Sequence, residues 1–304
     1  MVFSLIIPCY NEEKNIKPMH DEIEKTFCSC DFEYEMVFVN DGSYDGTAKE
    51  IKKLINTSSS KILYLDFSRN FGKESAIFAG LEHCHGDFAV IIDGDLQQPP
   101  EVALKMLKIL MDNPDTDCVT AYQEKRIEGS FTGFLKKGFY KLINKMTEVN
   151  FVSDASDFRV MRRNMINAIL SMKEGVRFSK GIFAWTGFHT IFIPYTARKR
   201  NAGETKWTMS SLFKYAFDGI VSFSTRLLKI PIWLSIMSFI AAVSYLIVRL
   251  TQGNFNETSL VIFLILFMSS VILFALSIVS VYLSKTYTES KHRPIYVLRD
   301  KDNN

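Results

Sequence analysis

Three short polar motifs carry residue types that can do chemistry. In Asp93-Gly94-Asp95 two carboxylates stand two residues apart, directly after the apolar run Phe88–Ile92. Such a pair at a strand end can share a divalent cation, with the glycine keeping the turn open. The motif continues as Leu96-Gln97-Gln98-Pro99-Pro100-Glu101, whose prolines stop the strand and start a helix. Alone, Asp-x-Asp is more often a plain turn. In Asp41-Gly42-Ser43-Tyr44-Asp45-Gly46-Thr47, Asp41 is a candidate acceptor for a base N–H, with backbone N–H groups nearby for phosphate. The alternative is a turn with a helix cap at Asp45. Arg69-Asn70-Phe71-Gly72-Lys73 is either a cationic part of the same site or a solvated loop.

The elements around these motifs place them together. Phe3–Ile7, Glu35–Val39, Ile62–Leu65, Phe88–Ile92 and Cys118–Ala121 read as buried strands. Helical segments are expected near 12–28, 46–56, 73–84 and 100–112. Near-continuous apolar strands alternating with helices predict an α/β fold with a mostly parallel sheet covered on both faces. In such sheets the ligand crevice lies at the carboxyl ends of the strands. Asn11, Asp41, Arg69 and Asp93 each follow a predicted strand at once, so one shared crevice is expected.

Further along, the chain changes character. Leu135, Phe139, Leu142, Ile143 and Met146 form a helical apolar stripe, and Lys137, Lys141 and Lys145 a separate basic one. The segment 131–147 is therefore a basic amphipathic helix, suited either to an anionic membrane surface or to packing on the domain. A second amphipathic stretch, 208–229, leads into Ile230–Val248, which holds 19 residues without a charge. Leu260–Leu283 holds 24; as a helix it would be about 36 Å long, enough to cross a bilayer with tilt. Arg226 and Lys229 precede this hairpin, and Lys285, Lys291 and Arg293 follow it. The positive-inside rule then predicts a multi-pass protein of the cytoplasmic membrane, with both termini in the cytoplasm.

Composition excludes other classes. With 47% hydrophobic and 23% charged residues, the chain is neither disordered nor collagenous. A net charge of +3 is too small for a protein that coats nucleic acid. Five cysteines do not pair evenly, and Cys28-Ser-Cys30 lacks the second pair or nearby histidine of a metal site. No secretory signal opens the chain.

Taken in order, Ile6-Ile7-Pro8-Cys9-Tyr10-Asn11-Glu12-Glu13, Asn40-Asp41-Gly42-Ser43, Arg69-Asn70-Phe71-Gly72-Lys73 and Asp93-Gly94-Asp95-Leu96-Gln97 resemble the family 2 glycosyltransferases of the GT-A fold. Ser156-Asp157-Phe158-Arg159, Arg177-Phe178, Gly181 and Arg200…Gly203-Glu204-Thr205-Lys206-Trp207 extend the likeness. With the hairpin and the tail Lys291-His292-Arg293-Pro294-Ile295-Tyr296, the chain is similar to the polyprenyl-phosphate glycosyltransferases, the group of bactoprenol glucosyltransferase and dolichol-phosphate mannose synthase. Two departures stand out: Tyr122-Gln123 where the family often has a basic residue, and Thr205 where it usually has serine.

The resemblance implies a Rossmann-like GT-A domain over 1–207, an interfacial helix over 208–229, transmembrane helices at 230–248 and 260–283, and a cytoplasmic tail over 285–304. It implies a nucleotide-sugar donor, with uridine the favoured base, and a polyprenyl phosphate acceptor such as undecaprenyl phosphate. A divalent cation, Mg2+ or Mn2+, is implied as cofactor. Pro8, Tyr10, Glu12, Asp41 and Asp93 would hold the nucleotide. Asp93, Asp95 and Gln97 would hold the metal, with Asp95 and Asp157 catalytic and Asp157 the candidate base. Arg126, Arg177, Arg200 and Lys206 would meet phosphate. A homotetramer paired through the tail strand near Tyr296-Val297-Leu298 is implied, as are a flippase and a downstream membrane glycosyltransferase that modifies a cell-envelope glycan. The sugar is left open. Competing readings are a transferase that extends a glycan or another lipid, and a non-catalytic membrane scaffold.

Overall fold

The structure, a computed structural model, describes residues 1–124, 155–174, 177, 179–198, 257–291 and 293–303. The segments 131–147, 208–229 and 230–248, and Arg126, Arg200 and Lys206, lie outside the described residues.

The expected alternation is present: β1 (Val2–Cys9), α1 (Glu13–Phe27), β2 (Glu33–Asn40), α2 (Thr47–Thr57), β3 (Lys61–Phe67), α3 (Lys73–His83), β4 (Phe88–Ile91), α4 (Pro100–Asp112) and β5 (Cys118–Gln123). Burial explains why these strands are apolar on both sides. Phe3, Leu5 and Ile7 of β1 pack with Ile16 and Met19 of α1 and with Met106 of α4. Ile6 faces the other way, among Ala76 and Leu81 of α3. Both faces are thus covered, and alternation of polarity is lost.

Eight strands form one sheet in the order β7-β5-β6-β4-β1-β2-β3-β8. The block β3-β2-β1-β4 is parallel throughout. Strand β6 (Ala155–Arg162) is not among the strands expected from sequence; it enters antiparallel between β4 and β5. Its register pairs Ile91 with Arg159, which sets Asp157 beyond the carboxyl end of β4. Then follow α5 (Arg163–Ser171), α6 (Ser179–Trp185) and β7 (Thr190–Tyr195), the last parallel to β5.

Helix α7 (Glu257–Ser290) contains the second expected spanning segment within 34 residues. Among the described residues no helix is long and apolar enough to cross a membrane. In α7 the side chains at 257–260, 262, 263, 266, 269, 270, 273, 288 and 289 lie outside the described set.

Strand β8 (Leu298–Asn303) pairs antiparallel with β3 of its own chain, from Leu63↔Asn303 to Phe67↔Leu298. Tyr296 explains the anchorage: its ring stacks on Phe67 at 5.0 Å, and its hydroxyl donates to Glu82. The new sheet edge carries Arg299, Asp300, Lys301 and Asp302, a charged run that disfavours pairing with another chain.

Candidate active site

The loops after β1, β2 and β3 are locked to one another before any charged group is considered. The Asn11 N–H donates to Ser43 Oγ at 2.9 Å, and the Tyr44 N–H donates back to Asn11 Oδ1 at 3.1 Å. Asn11 sits at φ 53°, a conformation that Asn tolerates better than most residues. The expected cap at Asp45 falls one residue early: Gly46 is the N-cap of α2, and Asp45 instead accepts from the Thr47 N–H at 3.0 Å as an Asx turn. Gly42, at φ +63°, lies so close to the third loop that a Cβ would stand 2.3 Å from the Arg69 carbonyl carbon. Only glycine allows that approach.

Asp41 fastens the same two loops. It is 3% exposed, and its carboxylate accepts from the Phe71 N–H at 2.6 Å and from the Gly72 N–H at 3.0 Å. Burial pushes its pKa up to about 6, although both N–H groups and Arg69 favour the charged form. Asp41 thus has a structural role. It orders the turn that starts α3, where Gly72 takes φ +96°.

That turn delivers Lys73 to the centre of the crevice. Lys73 Nζ stands 2.7 Å from Asp93 Oδ1 and 3.1 Å from Asp157 Oδ2. Burial opposes the ammonium, but the two carboxylates hold its pKa well above the ordinary lysine value. Burial pushes Asp93 up; Lys73 pulls it down, and Asp157 and Asp95 push it up again. Asp93 is further held by Gln98, whose Oε1 accepts from the Asp93 N–H at 2.8 Å and whose Nε2 donates to Oδ2 at 3.0 Å. Asp157 follows Ser156, whose hydroxyl donates to the Ala121 carbonyl at 2.6 Å beside a bulge in β5. Asp93, Asp95 and Asp157 are thus gathered at one strand end, as expected. Sequence reasoning places Lys73 in a candidate motif but misses its pairing with Asp93 and Asp157. Its only signal is its place at a strand end, within the Arg69–Lys73 motif.

The acidic turn is tight. Asp95 is 9% exposed, and its Oδ1 accepts from the Gln97 N–H at 3.1 Å. Leu96 adopts φ 63°, a left-handed conformation that is strained for a branched residue and often found at functional turns. The Arg198 N–H donates to the Gln97 carbonyl at 3.0 Å, and the Arg198 guanidinium reaches Glu22 at 2.7 Å and Glu101 at 3.1 Å. The chain leading toward residues 199–207 is therefore tied to the Asp95–Gln97 turn.

Other expected residues have clear surroundings. Tyr10 packs edge-on against Tyr44, centroids 6.2 Å apart, and Tyr44 is 84% exposed. Glu12 accepts from the Asn15 side chain at 2.6 Å, and Pro8 is partly buried in β1. The Arg177 guanidinium lies over the Phe78 ring at 4.4 Å and donates to the Met172 carbonyl at 2.5 Å. Burial lowers its pKa. Arg177 thus packs on α3, in a half-buried position, rather than standing as a free cation over the crevice.

Among the described residues no group of three or more His, Cys, Asp or Glu side chains forms a complete metal cage. Asp93 and Asp95 still fit Mg2+ or Mn2+. Mg2+-type sites are commonly built from one or two carboxylates, with waters and substrate phosphates completing the shell. The five cysteines are all free.

Residues 4–170 match the family described as Glycosyl transferase family 2. CsbB, a candidate glycosyltransferase of Bacillus subtilis (strain 168), is 37% identical over 304 residues, covering 98% of this chain and 92% of its own. The bactoprenol glucosyl transferase of Shigella phage SfV is 36% identical over 313 residues, covering 99% of each chain. The prophage bactoprenol glucosyl transferase homolog of Escherichia coli (strain K12) is 35% identical over 311 residues, covering 98% of this chain and 99% of its own.

Proposed function

The chain belongs to glycosyl transferase family 2, and from that premise we propose that it transfers a monosaccharide from a nucleotide-sugar donor to the phosphate of a polyprenyl phosphate, at the cytoplasmic face of a membrane. The observation that carries this reading is the pairing of Asp93 and Asp157 with Lys73 at the carboxyl ends of the parallel strands, with Asp95 close to Asp93. The relatives that act on bactoprenol support the lipid acceptor.

The chemistry follows from charge. A phosphate oxygen of the acceptor attacks the anomeric carbon as the bond to the nucleoside diphosphate breaks, so the sugar carbon inverts. A phosphate monoester has a second pKa of about 6, so the nucleophile is largely ionised near neutral pH. Asp157, paired with Lys73 at 3.1 Å, is suited to orient the reactants more than to remove a proton. Asp93 and Asp95, with Gln97 beside them, would hold the divalent cation. When bound, it neutralises the departing diphosphate. Tyr10, Tyr44 and the Asp41 loop form the side of the crevice proposed for the nucleoside.

From the sequence we take the run Leu260–Leu283 as membrane-spanning, although the described residues alone hold no helix long and apolar enough to cross. Leu260–Leu283 holds no charge, and Ile265, Ile272, Leu276 and Leu283 are exposed apolar side chains. β8 lies in the catalytic sheet only a few residues after α7 ends at Ser290. That favours the helix end, its lysines and the catalytic domain lying on one side of the bilayer.

The test is transfer by the full chain in vesicles containing undecaprenyl phosphate, with a panel of radiolabelled nucleotide sugars. Label should enter an organic-extractable, mild-acid-labile product with one of them. No lipid-linked label with any donor would overturn the reading. Near-normal turnover by Asp95→Ala would overturn the metal assignment.

A further inference from the structure

Lys73 stands where a helix would not choose a cation. It is the first residue of α3, and positive charge at a helix N-terminus opposes the helix dipole. The fold nevertheless fixes it there, through the Asp41 bonds to Phe71 and Gly72 and the close approach of Gly42. The side chain is 36% exposed and points into the crevice, where its ammonium bonds one oxygen of Asp93 and one of Asp157. Asp93 is also one of the two carboxylates suited to the divalent cation. An ammonium 2.7 Å from Asp93 Oδ1 and a dication on that carboxylate would repel strongly in a partly buried site.

We propose that Lys73 is an internal counter-ion that holds Asp93 until a divalent cation displaces it, and that the displaced ammonium then meets the donor diphosphate. The proposal rests on the metal reading of Asp93 and Asp95 given above. Electrostatics supports both halves. Without metal, three carboxylates at one strand end need a cation, and Lys73 supplies it. With metal, the donor and acceptor bring further negative charge, and a flexible ammonium nearby can follow it. Lys73 would then couple the order of events: metal entry at Asp93 frees the group that grips the nucleotide.

The test separates two affinities in the full-length protein. Mn2+ binding is read without nucleotide by the loss of its free electron-spin signal, and UDP binding is read at saturating Mn2+ by calorimetry. If the donor panel selects guanosine, GDP replaces UDP. Lys73→Met should bind Mn2+ about tenfold tighter and the nucleoside diphosphate about tenfold weaker, while Lys73→Arg keeps nucleotide affinity close to the parent. A purely structural lysine would move both affinities in one direction, and that result overturns the proposal. Mn2+ binding lost in Asp95→Ala but unchanged in Lys73→Met overturns this inference alone. Absence of Mn2+ binding from every form, the parent included, overturns the metal reading and this inference with it. Should Lys73→Met fail to fold, Lys73→Gln carries the same comparison.

Discussion

A buried carboxylate and a partly buried acidic cluster sit at opposite ends of the same sheet, and they behave in opposite ways. At the amino ends Glu35 is 1% exposed. It accepts from Ser4 Oγ and the His85 N–H, each at 2.6 Å, and lies 3.1 Å from His85 Nδ1. Burial works against its charge, but those hydrogen bonds outweigh it and leave its pKa below the ordinary value. At the carboxyl ends burial wins, and Asp93 is pushed up even with Lys73 beside it. A carboxylate supplied with fixed donors belongs to the fold. One held by a single amide donor and a lysine, and crowded by its own kind, is poised for an incoming charge.

The largest effect should come from breaking the acidic cluster. Asp93→Ala is expected to lower transfer by about a thousandfold or more, since it removes a group aimed at the leaving diphosphate. Its melting temperature should be unchanged or higher, because the fold loses a carboxylate whose charge it penalises. A large fall in melting temperature would make Asp93 a structural residue and erase the contrast with Glu35.

Glu35→Ala should give the mirror result. It strands the Ser4 hydroxyl and the His85 N–H without their acceptor, a loss of about 2–4 kcal/mol by denaturant unfolding. Turnover of the folded fraction should be that of the parent. The pH dependence has a definite sign. Because the folded pKa lies below the unfolded one, Glu35 stabilises above the ordinary glutamate range. That contribution is lost as pH falls through the folded pKa. The parent should therefore be more acid-sensitive than Glu35→Ala relative to their stabilities at pH 7.

Much of this contrast can be anticipated from local signals, and the remainder is non-local. The parallel block and three of its strand-end motifs are legible because apolar runs end abruptly in Asp41, Arg69 and Asp93. Glu35 is hidden as the first residue of an apolar run, since nothing nearby marks Ser4 and His85 as its partners. Lys73 is legible as part of a motif but not as a member of the charged centre. Its meeting with Asp157 depends on β6 entering antiparallel beside β4, a pairing set by distant contacts. The tail strand is anticipated near Tyr296–Leu298, but its partner is not, for the same reason: the alternating charges of Arg299–Asp302 do not announce the β3 edge they join.

Asp41 lies between the two in kind, and so it sharpens the rule. It has two backbone donors where Glu35 has donors from Ser4 and His85, and its pKa stays up at about 6, against a usual value of 3.8. Between those two values the folded protein holds a proton that the unfolded chain has released. Stability should therefore fall as pH rises from about 4 to about 6 and stay lower above that. Asp41→Asn removes the titration while keeping an oxygen for the Phe71 and Gly72 N–H groups. Compared with this variant, the parent should lose about 1–3 kcal/mol of stability between pH 4 and pH 7, since each tenfold change in proton affinity is worth about 1.4 kcal/mol. Unfolding curves of the two proteins across that range measure it. A difference that stays flat would mean that two backbone donors already suffice to hold a buried carboxylate ionised. In that case, the number of fixed donors could no longer separate the structural end of the sheet from the reactive one.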